Sequence, residues 1–387
     1  MKKLVSLLTV AVFVLLASSL SYAKGIFIQP GARAAGYGQA FTAVADDATA
    51  IFWNPAGLAY QKDTQAMMSA FYINYDATSN GPIFNKFETS AILPFIGFST
   101  ALDESKKTIL GIGFYVSGGG GGKLEQVLPV SDYPSEPTTK IDGQYSYMIY
   151  NVSLAREIYK NLSVAVGVDL INMNDKQDIT NLPYGLPPTV VNNYYSRSGY
   201  GFQGNVGVMY KPFERLSTGI MFRSGSSISL SDVAGMDKHF KYPMTIEGGF
   251  AYNLFDRLNV ACALAHTEYS WTSADYVDTT IVKIGAEYKA TDKLSVLAGF
   301  YNDPNIYNTA VLYDGQTANV TNLNMYNMRY LNIGVGYKFT KSFNAVLLYS
   351  RSYTQEVSAV DPFTSLLTEY KYPVNFLKID MTYKFGI

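Results

Sequence analysis

From residue 64 onward the chain keeps an odd-even rhythm that few folds accommodate. Leu162, Val164, Val166, Val168 and Leu170 share one parity, and Ser163, Ala165, Gly167 and Asp169 share the other. Leu258, Val260, Cys262 and Leu264 alternate with Asn259, Ala261, Ala263 and Ala265. Leu331, Ile333 and Val335 alternate with Asn332, Gly334 and Gly336, and Leu377, Ile379 and Met381 with Lys378, Asp380 and Thr382. A period of two puts successive side chains on opposite faces of a strand. A soluble sandwich alternates as well, so the tyrosines separate the two cases. Tyr159, Tyr210, Tyr252, Tyr288, Tyr337 and Tyr383 stand at or just before a short polar turn or the end of the last strand. That is where an interfacial aromatic girdle belongs, and a sandwich has no reason for it. With Leu102 to Lys106 the short turns number six. Alternating with seven longer connections, they predict fourteen antiparallel strands, with both ends of the barrel on the short-turn side.

Composition agrees with this pattern. Only 16% of the 387 residues are charged, against about 25% in soluble proteins. There are 32 Tyr, 22 Phe and 32 Gly, and the mean hydropathy of +0.02 is too low for a helical membrane protein. A net charge of -1 argues against nucleic acid as a partner, because phosphates require a basic face. Fourteen strands with about 9 to 11 membrane-embedded residues each use roughly 125 to 155 residues. More than half of the chain is left for strand extensions, loops and an N-terminal segment. Lys2 and Lys3, the apolar stretch from Leu4 to Leu16 and Ser21-Tyr22-Ala23 have the form of a signal peptide cleaved after Ala23. The expected organisation is residues 1–23 as leader, 24–63 as an N-terminal segment and 64–387 as a transmembrane β-barrel.

The residues needed for catalysis are scarce. His239, expected in a loop, and His266, near the loop end of a strand, are the only two histidines. No serine can be assigned to His266, so it reads as an interfacial side chain and the chain reads as a non-enzyme. No paired His or Cys ligands occur at metal-binding spacing, and no cofactor is expected. The lone Cys262 reads as a small hydrophobe. Gly199 to Gly204 match a dinucleotide fingerprint by letter, but Phe202, Val206 and Val208 continue a strand, with no helix to receive a phosphate.

Residues 24–63 are rich in small side chains and poor in strand pattern. Gly and Ala allow close backbone packing and Asn-Pro favours a turn, so the segment either folds compactly inside the lumen or hangs below it as a tail. Gly31 to Phe41, Ala45-Asp46-Asp47-Ala48 and Asn54-Pro55-Ala56-Gly57-Leu58 resemble the FadL/TodX-like outer-membrane channels for long-chain fatty acids and aromatic hydrocarbons. The resemblance is most specific over residues 31–59. It implies a fourteen-stranded barrel in a Gram-negative outer membrane, plugged by an N-terminal hatch that contains Asn54, Pro55 and Ala56. It also implies a monomer surrounded by lipid that admits a hydrophobic small molecule, such as a fatty acid, hydrocarbon or detergent. PorV-like barrels, which shuttle or anchor exported proteins, share a similar block and give the alternative function. The chain departs from the common pattern at its end, Tyr383-Lys384-Phe385-Gly386-Ile387, where the aromatic residue is displaced from the terminus.

Strand parity turns Arg223, Lys283 and Lys378 toward the lumen, together with Glu247, Glu287 and Asp380. Such charges must be wetted or paired. They either seat the segment through Arg33, Asp46 and Asp47 or hold a ligand carboxylate. Leu182 to Pro188, Tyr194 and Tyr195, and Val360 to Leu367 supply apolar loop material, either for ligand capture or as rigid surface. In the third strand Gly111 and Gly113 face inward and Gly118 to Gly122 follow. Glycine weakens strand pairing. The family's lateral opening at a third-strand kink implies that these residues mark a weak point; otherwise they leave room for the plug.

Overall fold

The computed structural model describes residues 29–80, 84–127, 138–182, 191–231, 239–274, 276–306, 327–354, 357–360, 367–371 and 374–386. The leader expected over residues 1–23 lies outside them. Fourteen antiparallel strands make one closed sheet. In chain order they are β1 (Gln65–Asn80), β2 (Phe84–Ala101), β3 (Thr108–Val127), β4 (Thr138–Tyr159), β5 (Leu162–Leu182), β6 (Val191–Phe213) and β7 (Leu216–Arg223 with Ser226–Leu230). There follow β8 (His239–Tyr242 with Met244–Phe255), β9 (Leu258–Glu268), β10 (Thr279–Lys289), β11 (Leu294–Asp303), β12 (Met328–Lys338), β13 (Phe343–Thr354 with Val357–Val360) and β14 (Leu367–Lys371 with Asn375–Lys384). Each strand pairs with the next, and β14 returns to β1 from Gln65↔Lys384 to Asn74↔Asn375, so the barrel has no free edge.

The expected rhythm is the wall. On β12, Leu331, Ile333 and Val335 are exposed while Tyr330 and Asn332 are buried. Tyr159, Tyr210, Tyr252, Tyr288, Tyr337 and Tyr383 are 41 to 74% exposed at the short-turn end, where the girdle was expected. Long connections proved shorter than the sequence suggests, because polar alternation extends the strands: β3 to β6 run 20 to 23 residues. Tyr194 and Tyr195 accordingly lie in β6 and His239 opens β8, none of them in a loop. Their alternating polar neighbours pair as readily above the membrane as apolar ones do within it. Residues 183–190 and 361–366, which carry most of the apolar loop material, lie outside the described residues. Gly199 to Gly204 continue within β6, as expected.

Residues 29–63 lie inside this wall, nearly all of them buried. Helix α1 (Ala32–Gly36), helix α2 (Ala50–Trp53) and a 3-10 turn (Pro55–Tyr60) are short, as the density of Gly, Pro and Asn requires. Asn54 caps the 3-10 turn by accepting a hydrogen bond from the Ala56 backbone N–H, with Pro55 at its first position. One continuous apolar cluster joins Phe41, Ile51, Trp53 and Leu58 of the segment to Met67, Phe95, Met209 and Leu297 of the wall.

Candidate transport lumen

The start of α1 has no capping side chain of its own. Its cap comes from the opposite end of the chain: the Asp380 carboxylate on β14 accepts from the backbone N–H groups of Ala32 and Arg33 at 2.7 and 2.8 Å. Arg33 then reaches β10, donating from Nε and Nη2 to Glu287 at 3.2 and 2.8 Å, and pairs with Asp46 through Nη1. Tyr37 donates its hydroxyl to the same Glu287 oxygen at 3.0 Å and accepts from Asn259 on β9. Burial pushes the Asp47 carboxyl up to about 7, against the opposing pull of Arg33; its Oδ1 accepts from the Thr49 backbone and hydroxyl. A cavity of about 240 Å³ opens beside this network at the short-turn mouth, lined by Arg33, Asp46 and Glu287 with Lys289, Lys293 and Lys338 at its rim.

A second layer lies deeper. Glu247 on β8 accepts from Thr42 and from Lys283 Nζ at 2.7 Å, and that ammonium sits 5.2 Å from the Trp53 ring. Asn54 donates to the carbonyls of Thr42 and of Val208 in β6, at 2.9 and 3.1 Å. Its Oδ1 occupies the space a side chain at Gly207 would need: a Cβ there would lie 2.2 Å away. Arg223 donates to the Phe52 carbonyl at 2.6 Å and stacks on that ring, 3.8 Å from Asp169. Lys378 donates to the Gln29 carbonyl at 2.9 Å and covers the face of Phe71. Arg223, Lys283 and Lys378 are all buried, and each meets the segment or its aromatic rings.

Two aromatic groups line the lumen around the segment. Phe52, Phe95 and Tyr115 stack edge and face with centroids 5.6 and 6.2 Å apart, and Tyr147 packs on Phe240 and Tyr242. On the other side Phe71, Phe376, Tyr330 and Tyr301 form a continuous stack. Beside the first cluster the wall is interrupted. The β2–β3 ladder runs from Phe84↔Val127 to Glu88↔Lys123 and resumes at Phe95↔Tyr115, leaving residues 89–94 and 116–122 unpaired across this seam. β2 stays paired with β1 through the same stretch, and β3 with β4 apart from a bulge at Ser117. Pro94 has no N–H to give a ladder, and Ser117 turns inward to share a hydrogen bond with Tyr242.

The third-strand glycines therefore separate. Gly118 lies in the seam. Gly111 and Gly113 do not: they are paired with Ser99 and Gly97, and they admit the segment, since a Cβ at Gly113 would lie 1.9 Å from Ile51 Cδ1 and one at Gly111 would lie 2.6 Å from Leu58. Sequence reasoning missed the Asp169–Asn151–Asn205 cluster, the buried Asp175–Arg197 pair at 2.8 Å and both aromatic stacks. Parity within β4, β5 and β6 turns the polar residues of these groups inward, so their signal was present. His266 faces outward and shares a hydrogen bond with Thr280. Among the described residues no group of His, Cys, Asp and Glu could hold a metal ion.

A closed fourteen-stranded barrel, apolar without and occupied within by residues 29–63, defines an outer-membrane β-barrel protein. Residues 14–253 match the family model described as outer membrane protein transport protein (OMPP1/FadL/TodX), and the chain belongs to that family. Among solved structures it is similar to a Pseudomonas aeruginosa FadL homologue, with TM-score 0.69 and 15% identity over 94% of this chain and 100% of that one. It is also similar to the Pseudomonas putida toluene transporter TodX (0.66, 15%, 88% and 95%) and the Ralstonia pickettii toluene transporter TbuX (0.65, 15%, 93% and 100%). Against curated proteins no match is found.

Proposed function

We propose that this barrel admits hydrophobic or amphipathic small molecules, long-chain fatty acids or aromatic hydrocarbons, by passive diffusion. Residues 24–63 act as the hatch, the chain works as a monomer after loss of residues 1–23, and solute leaves sideways into the membrane. The observation that carries this reading is the β2–β3 seam, an unpaired stretch of wall that adjoins the Phe52–Phe95–Tyr115 cluster inside. An alkyl chain gains about 0.8 kcal/mol per buried methylene in such an interior, so capture needs no energy source. Arg223, Lys283 and Lys378, together with Arg33, Asp46 and Asp47, chiefly seat the hatch. Lys378, whose only described hydrogen bond is to one backbone carbonyl, is the cation best able to turn to a carboxylate.

The test is uptake of labelled oleate and toluene by cells carrying the barrel, compared with a Gly118→Trp variant that fills the seam. Uptake should fall while ligand binding to the purified, folded variant persists. Unchanged uptake would remove the lateral route.

A further inference from the structure

The outer face of β12 and β13 carries cations at the upper edge of its apolar band. Outward positions, read from the short-turn end, run Tyr337, Val335, Ile333, Leu331 and Arg329 on β12, then Ala345, Leu347, Tyr349, Arg351 and Tyr353 on β13. On β14 they run Tyr383, Met381, Ile379, Leu377 and Asn375. From Tyr337 to Arg329 is about 26 Å of strand, or roughly 20 Å of height at a 40° tilt. The two arginines therefore stand at the upper boundary of the apolar band, on the long-loop side. Both are exposed, and neither takes part in any ion pair among the described residues. Arg351 is opposite Leu331 and Arg329 opposite Tyr353, so the two guanidinium groups lie on a diagonal of neighbouring strands.

The surroundings are organised. Arg351 lies 5.7 Å from the Tyr353 ring centroid. Tyr349 donates its hydroxyl to Asn375 Oδ1 at 2.8 Å, which leaves the Asn375 amide nitrogen as a further donor. Directly beneath are Leu331, Ile333, Leu347 and Leu377, all strongly exposed. An unpaired arginine on a lipid-facing strand is costly unless it meets water or an anion at the interface, and its planar fork suits a phosphate. The strip of donors above a strip of aliphatic side chains matches one occupant, a lipid with a phosphorylated head and acyl chains lying along the barrel.

We propose that Arg329 and Arg351, with Asn375, bind the phosphate of an outer-leaflet glycolipid. The test places the full chain in phosphatidylcholine nanodiscs doped with a bis-phosphorylated disaccharide lipid or with the same lipid stripped of its phosphates, and measures retained glycolipid by native mass spectrometry. The wild-type barrel should retain the phosphorylated form about 25-fold better, at about fivefold per arginine. Arg329→Gln with Arg351→Gln should abolish that preference, and Arg329→Lys with Arg351→Lys should keep part of it. Heat-modifiable gel mobility checks that each variant is folded, and the two-lipid comparison on the wild type requires no variant. Equal retention of both lipids by the wild type would overturn the proposal, as would an unchanged preference in the Gln variant. Displacement of the lipid by inorganic phosphate at equal concentration would overturn the lipid as occupant. None of these outcomes depends on whether the lumen carries solute.

Discussion

Arg33 and Glu287 are 254 positions apart in sequence and joined by two hydrogen bonds of 2.8 and 3.2 Å. Together they tie the N-terminal segment to β10. Their side chains are 19 and 9% exposed, so the pair is partly screened, and its loss should cost about 2 to 3 kcal/mol of local seating rather than the full penalty of a buried pair. Glu287→Gln should therefore speed amide exchange across residues 31–60 roughly 30- to 150-fold and leave strand amides unaffected. Equal acceleration in the strands would mean that the pair holds the barrel and not the segment.

Asp47 gives the seating a pH dependence. Its carboxyl titrates near 7 in place of 3.8, so the folded state holds this proton more tightly than the unfolded one. That contribution is complete below pH 3.8 and fades as pH rises through 7. Protection from exchange over residues 31–60, after division by the intrinsic base-catalysed rate, should fall between pH 5 and 8 in the wild type, and Asp47→Asn should flatten that protection profile. A wild-type protection factor that stays level or rises over that range would contradict the assignment.

Gly113 is a packing position. Gly113→Ala should collide with Ile51 and cost about 1 to 3 kcal/mol, measured as a fall in thermal stability. Ile51→Ala added to it should recover part of the loss, because the Cδ1 atom in the way is gone. Failure of the second change to recover any stability would place the strain elsewhere.

Asn54→Ala removes donors from the carbonyls of Thr42 and Val208 and the cap of Ala56. A buried acceptor at Thr42 and a buried donor at Ala56 left unsatisfied cost about 2 to 6 kcal/mol. Protease cleavage within residues 40–60 should become visible, while the β1–β14 closure survives. Absence of cleavage would show that the aromatic packing of Trp53 and Phe41 suffices.

Much of this was legible in the chain, and the limit is physical. Parity is a local property, so it turned Lys283 and Asp380 inward without any knowledge of their partners. It could not reveal that Asp380 caps a helix 348 positions earlier, because that contact depends on how the segment settles within a completed wall. The Gly118 to Gly122 run pointed to β3, yet the position of the seam is set jointly by Pro94 on β2 and the bulge at Ser117. Gly111 and Gly113 looked alike with these glycines because a missing side chain serves equally to loosen a ladder and to admit Ile51 or Leu58. His239 opens a strand although its surroundings read as loop, because polar strand extensions carry the same composition as loops.

Single-channel recording in a planar bilayer tests the central claim most directly. A lumen filled by residues 29–63 predicts little or no steady ion conductance from the wild-type barrel, and a large, stable conductance when residues 29–60 are deleted from a chain that still folds. Large, steady conductance from the wild type would contradict the account.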